Sequence, residues 1–228
     1  MNLCFDFDGP VIDVSERYYR AYIDSLKDTG ANKNDILTKE DFWRLKQNKV
    51  SELEIGIMSG LPLSKALEAG NLRKDLTFKS SYFTHDKLFD DVVKTFEYLK
   101  SKNITFFIVT LRRKKQVYQA IKDFRLDKYF DNEFLFAVPD EQKITNDIQE
   151  KYILLVNAIN KLGINPLDTW MIGDTETDIH AARLARYGRT IAISRGIRSK
   201  ELLELLKPNN LVNNFSELMN LVMSPQSR

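Results

Sequence analysis

The apolar run Leu3-Cys4-Phe5 passes directly into Asp6-Phe7-Asp8-Gly9. Two carboxylates two residues apart at the end of a short strand can act on one reacting group. Residues i and i+2 of a strand point to the same side, and at the glycine the chain is already turning. One carboxylate then has the place of a nucleophile and the other that of a proton donor. A second apolar run, Trp170-Met171-Ile172, also ends in glycine and a carboxylate, Gly173-Asp174, and Asp178 follows four residues later. Acids gathered from two strand ends repel one another unless a cation lies between them. Hard oxygen ligands, with few His or Cys in the chain, point to Mg²⁺.

Those carboxylates need strands to carry them. Short runs rich in β-branched and aromatic residues recur at Leu3–Phe7, Ile104–Thr110, Phe134–Val138, Thr169–Ile172 and Thr190–Ile193. Amphipathic stretches of helical length lie around the later ones, at Asp90–Ser101, Lys114–Phe124, Lys151–Leu162 and Asp178–Arg186. Apolar runs without alternation fit strands buried on both faces. Strands alternating with helices predict an α/β fold with an open parallel sheet.

The rhythm is interrupted once. Between Phe7 and Ile104 little reads as strand, and helices are expected to begin near Ser15, Thr38, Ser51 and Ser64. Thr38-Lys39-Glu40-Asp41 and Ser51-Glu52-Leu53-Glu54 place a hydroxyl three residues before an acid, a helix-start pattern. The domains expected are an α/β core of residues 1–13 and 84–228 and an inserted helical domain of residues 14–83. An insertion directly behind Asp8 is placed to act as a lid over the chemistry.

Taken together, these residues resemble the haloacid dehalogenase-like (HAD) superfamily, in the helical-cap type found in phosphoglycolate phosphatases and β-phosphoglucomutases. The resemblance covers nearly the whole chain and rests on four motifs in order. These are Asp6-Phe7-Asp8-Gly9, the strand ending Phe107-Ile108-Val109-Thr110, Lys151 ahead of Leu162-Gly163, and Gly173-Asp174-Thr175-Glu176-Thr177-Asp178. It implies a Rossmann-like sheet with helices on both faces and an α-helical cap. It also implies a Mg²⁺-dependent phosphomonoester hydrolase working through an aspartyl-phosphate. Asp6 is then the nucleophile, and Asp8 protonates the leaving alkoxide and later takes a proton from water. Mg²⁺ is held by the Asp6 side chain, the Asp8 backbone carbonyl and Asp174. Asp178 orients waters or Lys151, Thr110 donates to the phosphoryl group, and Lys151 supplies positive charge, a role Lys143 could share. The chain departs from the family at Pro10, which removes a backbone donor, and at Asp13-Val14, where Asp-Ser is usual.

The catalytic groups bind only a phosphoryl group and a metal, so a small phosphorylated metabolite must be chosen elsewhere. In similar caps a basic residue in the turn after the second helix contacts substrate; here Lys49 and Arg44 are the candidates, with Asn48 beside them. Tyr18, Tyr19 and Tyr22 are expected mostly to pack, and His85 and His180 are not needed by the mechanism. A phosphomutase of the β-phosphoglucomutase type is the nearest alternative, and a non-catalytic binding protein on the same fold the next. A dehalogenase is disfavoured because it would not require Asp8.

With 228 residues and 43% hydrophobic content the chain can build a real core, and its net charge of +2 favours neither nucleic acid nor membrane surfaces as partners. Cys4 reads as a buried core residue. No cationic-then-apolar leader precedes the first strand and no apolar stretch approaches the ~20 residues of a membrane span. A cytoplasmic protein is the expectation. The polar tail from Ser224 to Arg228 is expected to fray.

Overall fold

A computed structural model describes residues 1–224; residues 225–228, nearly all of the polar tail, lie outside the described residues. The chain begins with β1 (Asn2–Phe5) and a two-residue strand, β2 (Ile12–Asp13). Helices α1 (Ser15–Thr29), α2 (Lys39–Gln47), α3 (Glu52–Met58) and α4 (Leu63–Thr77) follow, then β3 (Lys87–Leu88). Helix and strand then alternate through α5 (Val92–Ser101), β4 (Thr105–Arg113), α6 (Lys114–Asp123), β5 (Leu135–Val138), α7 (Asp147–Leu162) and β6 (Thr169–Gly173). The last elements are α8 (Glu176–Leu184), β7 (Arg189–Ile193), α9 (Lys200–Leu205), β8 (Asn210–Val212) and α10 (Phe215–Met223).

The described residues divide into two compact units. The first comprises Met1–Ile12, Leu88–Gly196 and the described residues from Lys200 on, and the second Asp13–Lys87 with Ile197–Ser199. Compared with the 14–83 insertion read from sequence, the second unit starts one residue earlier, ends four later and gains a short distal segment. The backbone N–H of Ser199 donates to the Gln47 carbonyl at 3.0 Å, which ties that segment to the end of α2.

The first unit is an α/β fold built on one parallel sheet of order β5-β4-β1-β6-β7-β8. Its strands lack alternation because both faces are covered: Leu3, Cys4, Phe5, Phe107, Ile108, Val109, Met171 and Ile172 are all fully buried. Register brings the strand ends level, Phe5 pairing with Ile108 on one side and Ile172 on the other. Asp6, Thr110 and Asp174 therefore end up together at the carboxyl edge of three neighbouring strands, the usual ligand edge of an open α/β sheet. The sequence reading lacks helices α9 and α10, and two strands also differ from it. Strand β8 was not anticipated, because only its Val212 is buried. Strand β4 runs on to Arg113 past Thr110, with a register irregularity between those two residues.

The second unit is helical, with a core of Tyr22, Leu26, Phe42, Ile55, Leu61, Ala66 and Ala69. Tyr22 stacks on Phe42 at 4.4 Å, and its hydroxyl lies 2.7 Å from that of Ser59. Tyr18 and Tyr19 pack at the edge of the same cluster. Both expected caps form: Thr38 Oγ1 accepts from Asp41 N–H, and Ser51 and Glu54 satisfy each other's backbone N–H groups. Asp13, where the family pattern continues into Ser, accepts the Ser15 N–H at 2.8 Å and so helps begin α1. Among the described residues no helix is long and apolar enough to cross a membrane.

Candidate active site

Asp6 is the first residue after β1, and its N–H still donates to Ile172 at 2.9 Å. The chain then folds into a tight turn. Val11 and Ile12 N–H both donate to the Phe7 carbonyl, and Gly9 N–H donates to that of Ile12. Gly9 sits at φ +99°, the left-handed region that favours glycine. A β-carbon at Gly9 or at Gly196 would overlap the Asp174 carboxylate. These two glycines therefore form a cradle that lets backbone approach Asp174, which is itself fully buried.

Lys151 lies in the second turn of α7, not at a helix start as the sequence reading had it. The helix begins at Asp147 because the Asn146 side chain caps it by accepting from Gln149 N–H. From there Lys151 Nζ reaches Asp6 Oδ1 at 2.7 Å and Asp178 Oδ1 at 2.8 Å, with its side chain only 1% exposed. Lys143, the open alternative, is exposed. Asp178 is fully engaged: its Oδ2 accepts from the N–H and hydroxyl of Thr175 at 3.1 and 2.7 Å. That arrangement opens α8 and leaves Asp178 to orient Lys151. Thr110 Oγ1 accepts the Arg112 N–H at 3.1 Å, which leaves the hydroxyl proton available for a ligand oxygen.

Arg112 is a site residue that sequence reasoning missed. Its Nη2 lies 2.6 Å from Asp8 Oδ1, its side chain is 2% exposed, and its guanidinium sits 5.0 Å from the centre of the Phe7 ring. The signal was present but hidden. β4 continues past Thr110, and Arg112, two residues on, is buried with its N–H bonded to Thr110 Oγ1.

The donor set fits a hard divalent cation. Asp6, Asp174 and Asp178 each place one oxygen within 4.8 Å of the others. Lys151 pairs with Asp6 and Asp178, and Arg112 with Asp8, so the cluster combines several carboxylates with buried cations. Because both oxygens of Asp178 are occupied, Asp6 and Asp174 are the side chains best placed to hold the ion. Burial pushes Asp6 up to about 7; Asp178 and Asp8 add to this, against the pull of Lys151. Burial also works against the charged form of Lys151, yet Asp178 and Asp6 outweigh it and hold the ammonium above its usual range.

A stability signature follows from Asp6. Its carboxyl binds its proton more tightly in the folded chain than in the unfolded one, whose value is near 3.8. This group's contribution is therefore fully present below the unfolded value and is lost as pH rises towards about 7. Metal-free protein is expected to lose melting temperature between pH 5 and 8 more steeply than metal-free Asp6→Asn, with Mg²⁺ restoring the loss. Equal slopes for the two proteins would refute the assignment.

The two cap-turn candidates have different surroundings within the second unit. Arg44 is exposed and pairs with Asp41 at 2.8 Å. Lys49 has φ +59° after α2 and lines a pocket of about 580 Å³ with Lys46, Glu52, Lys74 and Arg198. His180 is exposed, and His85 is half-buried in the turn before β3.

A family model described as haloacid dehalogenase-like hydrolase matches residues 3–192, and the chain belongs to that family of hydrolases. The pyrophosphatase PpaX of Bacillus cereus is 23% identical, over 94% of this chain and 93% of its own. Among solved structures, a haloacid dehalogenase-like family hydrolase from Streptococcus pneumoniae superposes with a TM-score of 0.71 at 19% identity, covering 97% of this chain and 98% of its own. A family IA hydrolase from Entamoeba histolytica gives 0.65 at 21% identity, over 99% of this chain and 96% of its own. These structural likenesses speak for the fold.

Proposed function

We propose that this hydrolase is a Mg²⁺-dependent phosphatase that cleaves a small phosphorylated metabolite through an aspartyl-phosphate on Asp6. The observation that carries the reading is the buried Lys151 ammonium shared between Asp6 and Asp178, beside the glycine-cradled Asp174. An Asp6 oxygen attacks phosphorus, and the bond to the leaving oxygen breaks. Asp8 gives that oxygen a proton, then takes one from the water that attacks the aspartyl-phosphate, restoring Asp6 and releasing phosphate. Thr110 donates its hydroxyl to a phosphoryl oxygen, and Lys151 offsets charge on the transferring group. A bound Mg²⁺, held by Asp6, Asp174 and the Asp8 carbonyl, would supply charge neutralisation between nucleophile and phosphoryl oxygens. The helical unit, which begins five residues after Asp8, is our candidate for the part that selects the substrate.

One observation favours a second reading of the substrate. The Asp8 carboxylate is paired with the Arg112 guanidinium at 2.6 Å, an arrangement that suits a leaving group already stable as an anion. A phosphoanhydride offers such a group, in keeping with the name of the Bacillus relative. A Mg²⁺ assay against sugar phosphates, nucleotides, phosphorylated organic acids and pyrophosphate separates the two. Failure to release phosphate from any of them would refute both.

The metal assignment has its own test. Excess chelator is expected to abolish turnover. Asp174→Ala is expected to raise the Mg²⁺ concentration for half-activity by at least about tenfold, since metal sites lose affinity on that scale even when only supporting partners are removed. Ca²⁺ is expected to bind and inhibit, because it accepts more ligands in looser geometry. Full activity in chelator would overturn the metal role.

A further inference from the structure

The turn that carries Asp8 has a second anchor. Its tip is Pro10, whose ring offers no N–H and whose carbonyl accepts from Arg195 Nε at 3.0 Å and also from Nη2. The same guanidinium donates from Nη1 to both oxygens of Asp91, at 2.7 and 2.9 Å. It lies between two rings, 4.1 Å from the centre of Phe89 and 4.3 Å from that of Phe215. Asp91 Oδ2 in turn accepts the Phe215 N–H at 2.8 Å, at the start of α10. The Arg195 side chain is 11% exposed.

Every member of this cluster belongs to the first unit. The planar fork of an arginine, packed close to two rings and bonded along its edge, is a connector whose geometry a lysine does not share. Here it connects three segments: the Asp8 turn, the chain from Phe89 to Asp91, and the start of α10. The turn's own hydrogen bonds close it on itself, and Phe89 N–H donates to the Val11 carbonyl at 3.3 Å; Arg195 adds an anchor at Pro10, next to Gly9, whose backbone is conformationally free.

We propose that Arg195 is a positioning residue for Asp8: by holding the Pro10 carbonyl it sets where the Asp8 carboxyl meets the leaving-group oxygen. Arg195 acts on Asp8 through the Pro10 carbonyl. The proposal rests on the reading of Asp8 as the group that protonates the leaving oxygen while the Asp6 oxygen–phosphorus bond forms and the phosphorus–leaving oxygen bond breaks. A misplaced acid harms only those substrates whose leaving group needs the proton.

The test compares an alkyl phosphate, whose alkoxide must be protonated, with p-nitrophenyl phosphate, whose phenolate leaves without help. kcat and KM are measured with Mg²⁺ for wild type, Asp8→Asn, Arg195→Met and Arg195→Lys. Asp8→Asn is expected to lose about 10²-fold or more in kcat on the alkyl ester and far less on the aryl ester. Arg195→Met is expected to follow the same pattern more mildly, losing about tenfold on the alkyl ester and at most about threefold on the aryl ester, with KM little changed. Arg195→Lys should recover part of the loss, and it carries the test if the methionine variant does not fold. Equal losses on both esters, or none on either, would overturn the positioning role while leaving the Asp8 assignment intact. An Asp8→Asn variant with no leaving-group dependence would overturn the acid assignment and the proposal with it.

Discussion

Asp6→Asn is expected to reduce turnover of every phosphorylated substrate by about 10⁴-fold or more, as loss of a nucleophile does. The amide nearly matches the carboxylate in size, so the strand end, the Gly9 turn and the neighbouring backbone bonds should persist. Lys151 keeps Asp178 as its partner at 2.8 Å. The loss should therefore appear in kcat, with an unchanged circular dichroism spectrum and substrate still bound. The buried position that disfavours charge on Asp6 also predicts that the metal-free variant is no less stable than wild type near neutral pH. Near-wild-type turnover by Asp6→Asn would end the covalent mechanism.

Lys151→Met is expected to have the largest effect on stability. The ammonium is the shared partner of two carboxylates, and Lys151 and Asp178 are each only 1% exposed along the side chain. Removing one partner of a buried ion pair leaves uncompensated charge and costs about 3–5 kcal/mol. Urea unfolding of metal-free protein should show this at pH 8. At pH 5 the penalty should shrink, because Asp6 can take up a proton there. Activity should also fall, by about 10²–10³-fold, as charge stabilisation of the transferring group is lost. A destabilisation below about 1 kcal/mol at pH 8 would show that the charge cluster is not held as described.

The catalytic edge was legible in one dimension because its signals are local. An apolar run followed by Asp6-Phe7-Asp8-Gly9, or by Gly173-Asp174, states both a strand and its end. Buried parallel strands need apolar residues on both faces, so the ends of β1 and β6 could be read without knowing their neighbours, whereas β4 runs on to Arg113 past the expected end at Thr110. The helix starts at Thr38 and Ser51 were legible for the same reason, since a cap is made by residues three apart.

Other features depended on groups far apart in the chain. Spacing from Leu162-Gly163 singled out Lys151, but its two carboxylate partners depend on how α7 lies along the sheet. Arg112 looked like an ordinary cation after a strand. Its role requires β4 to continue and Asp8, 104 residues earlier, to come within 2.6 Å. Arg195 and Asp91 carry no local signal at all; they meet across 104 residues at the tip of the Asp8 turn. Local patterns mark the ends of β1 and β6 and the four motifs, because backbone geometry acts over two to four residues. The tertiary structure alone decided which cation meets which carboxylate. Charge pairing acts through space at about 3 Å, and only the packed sheet brings those residues that close.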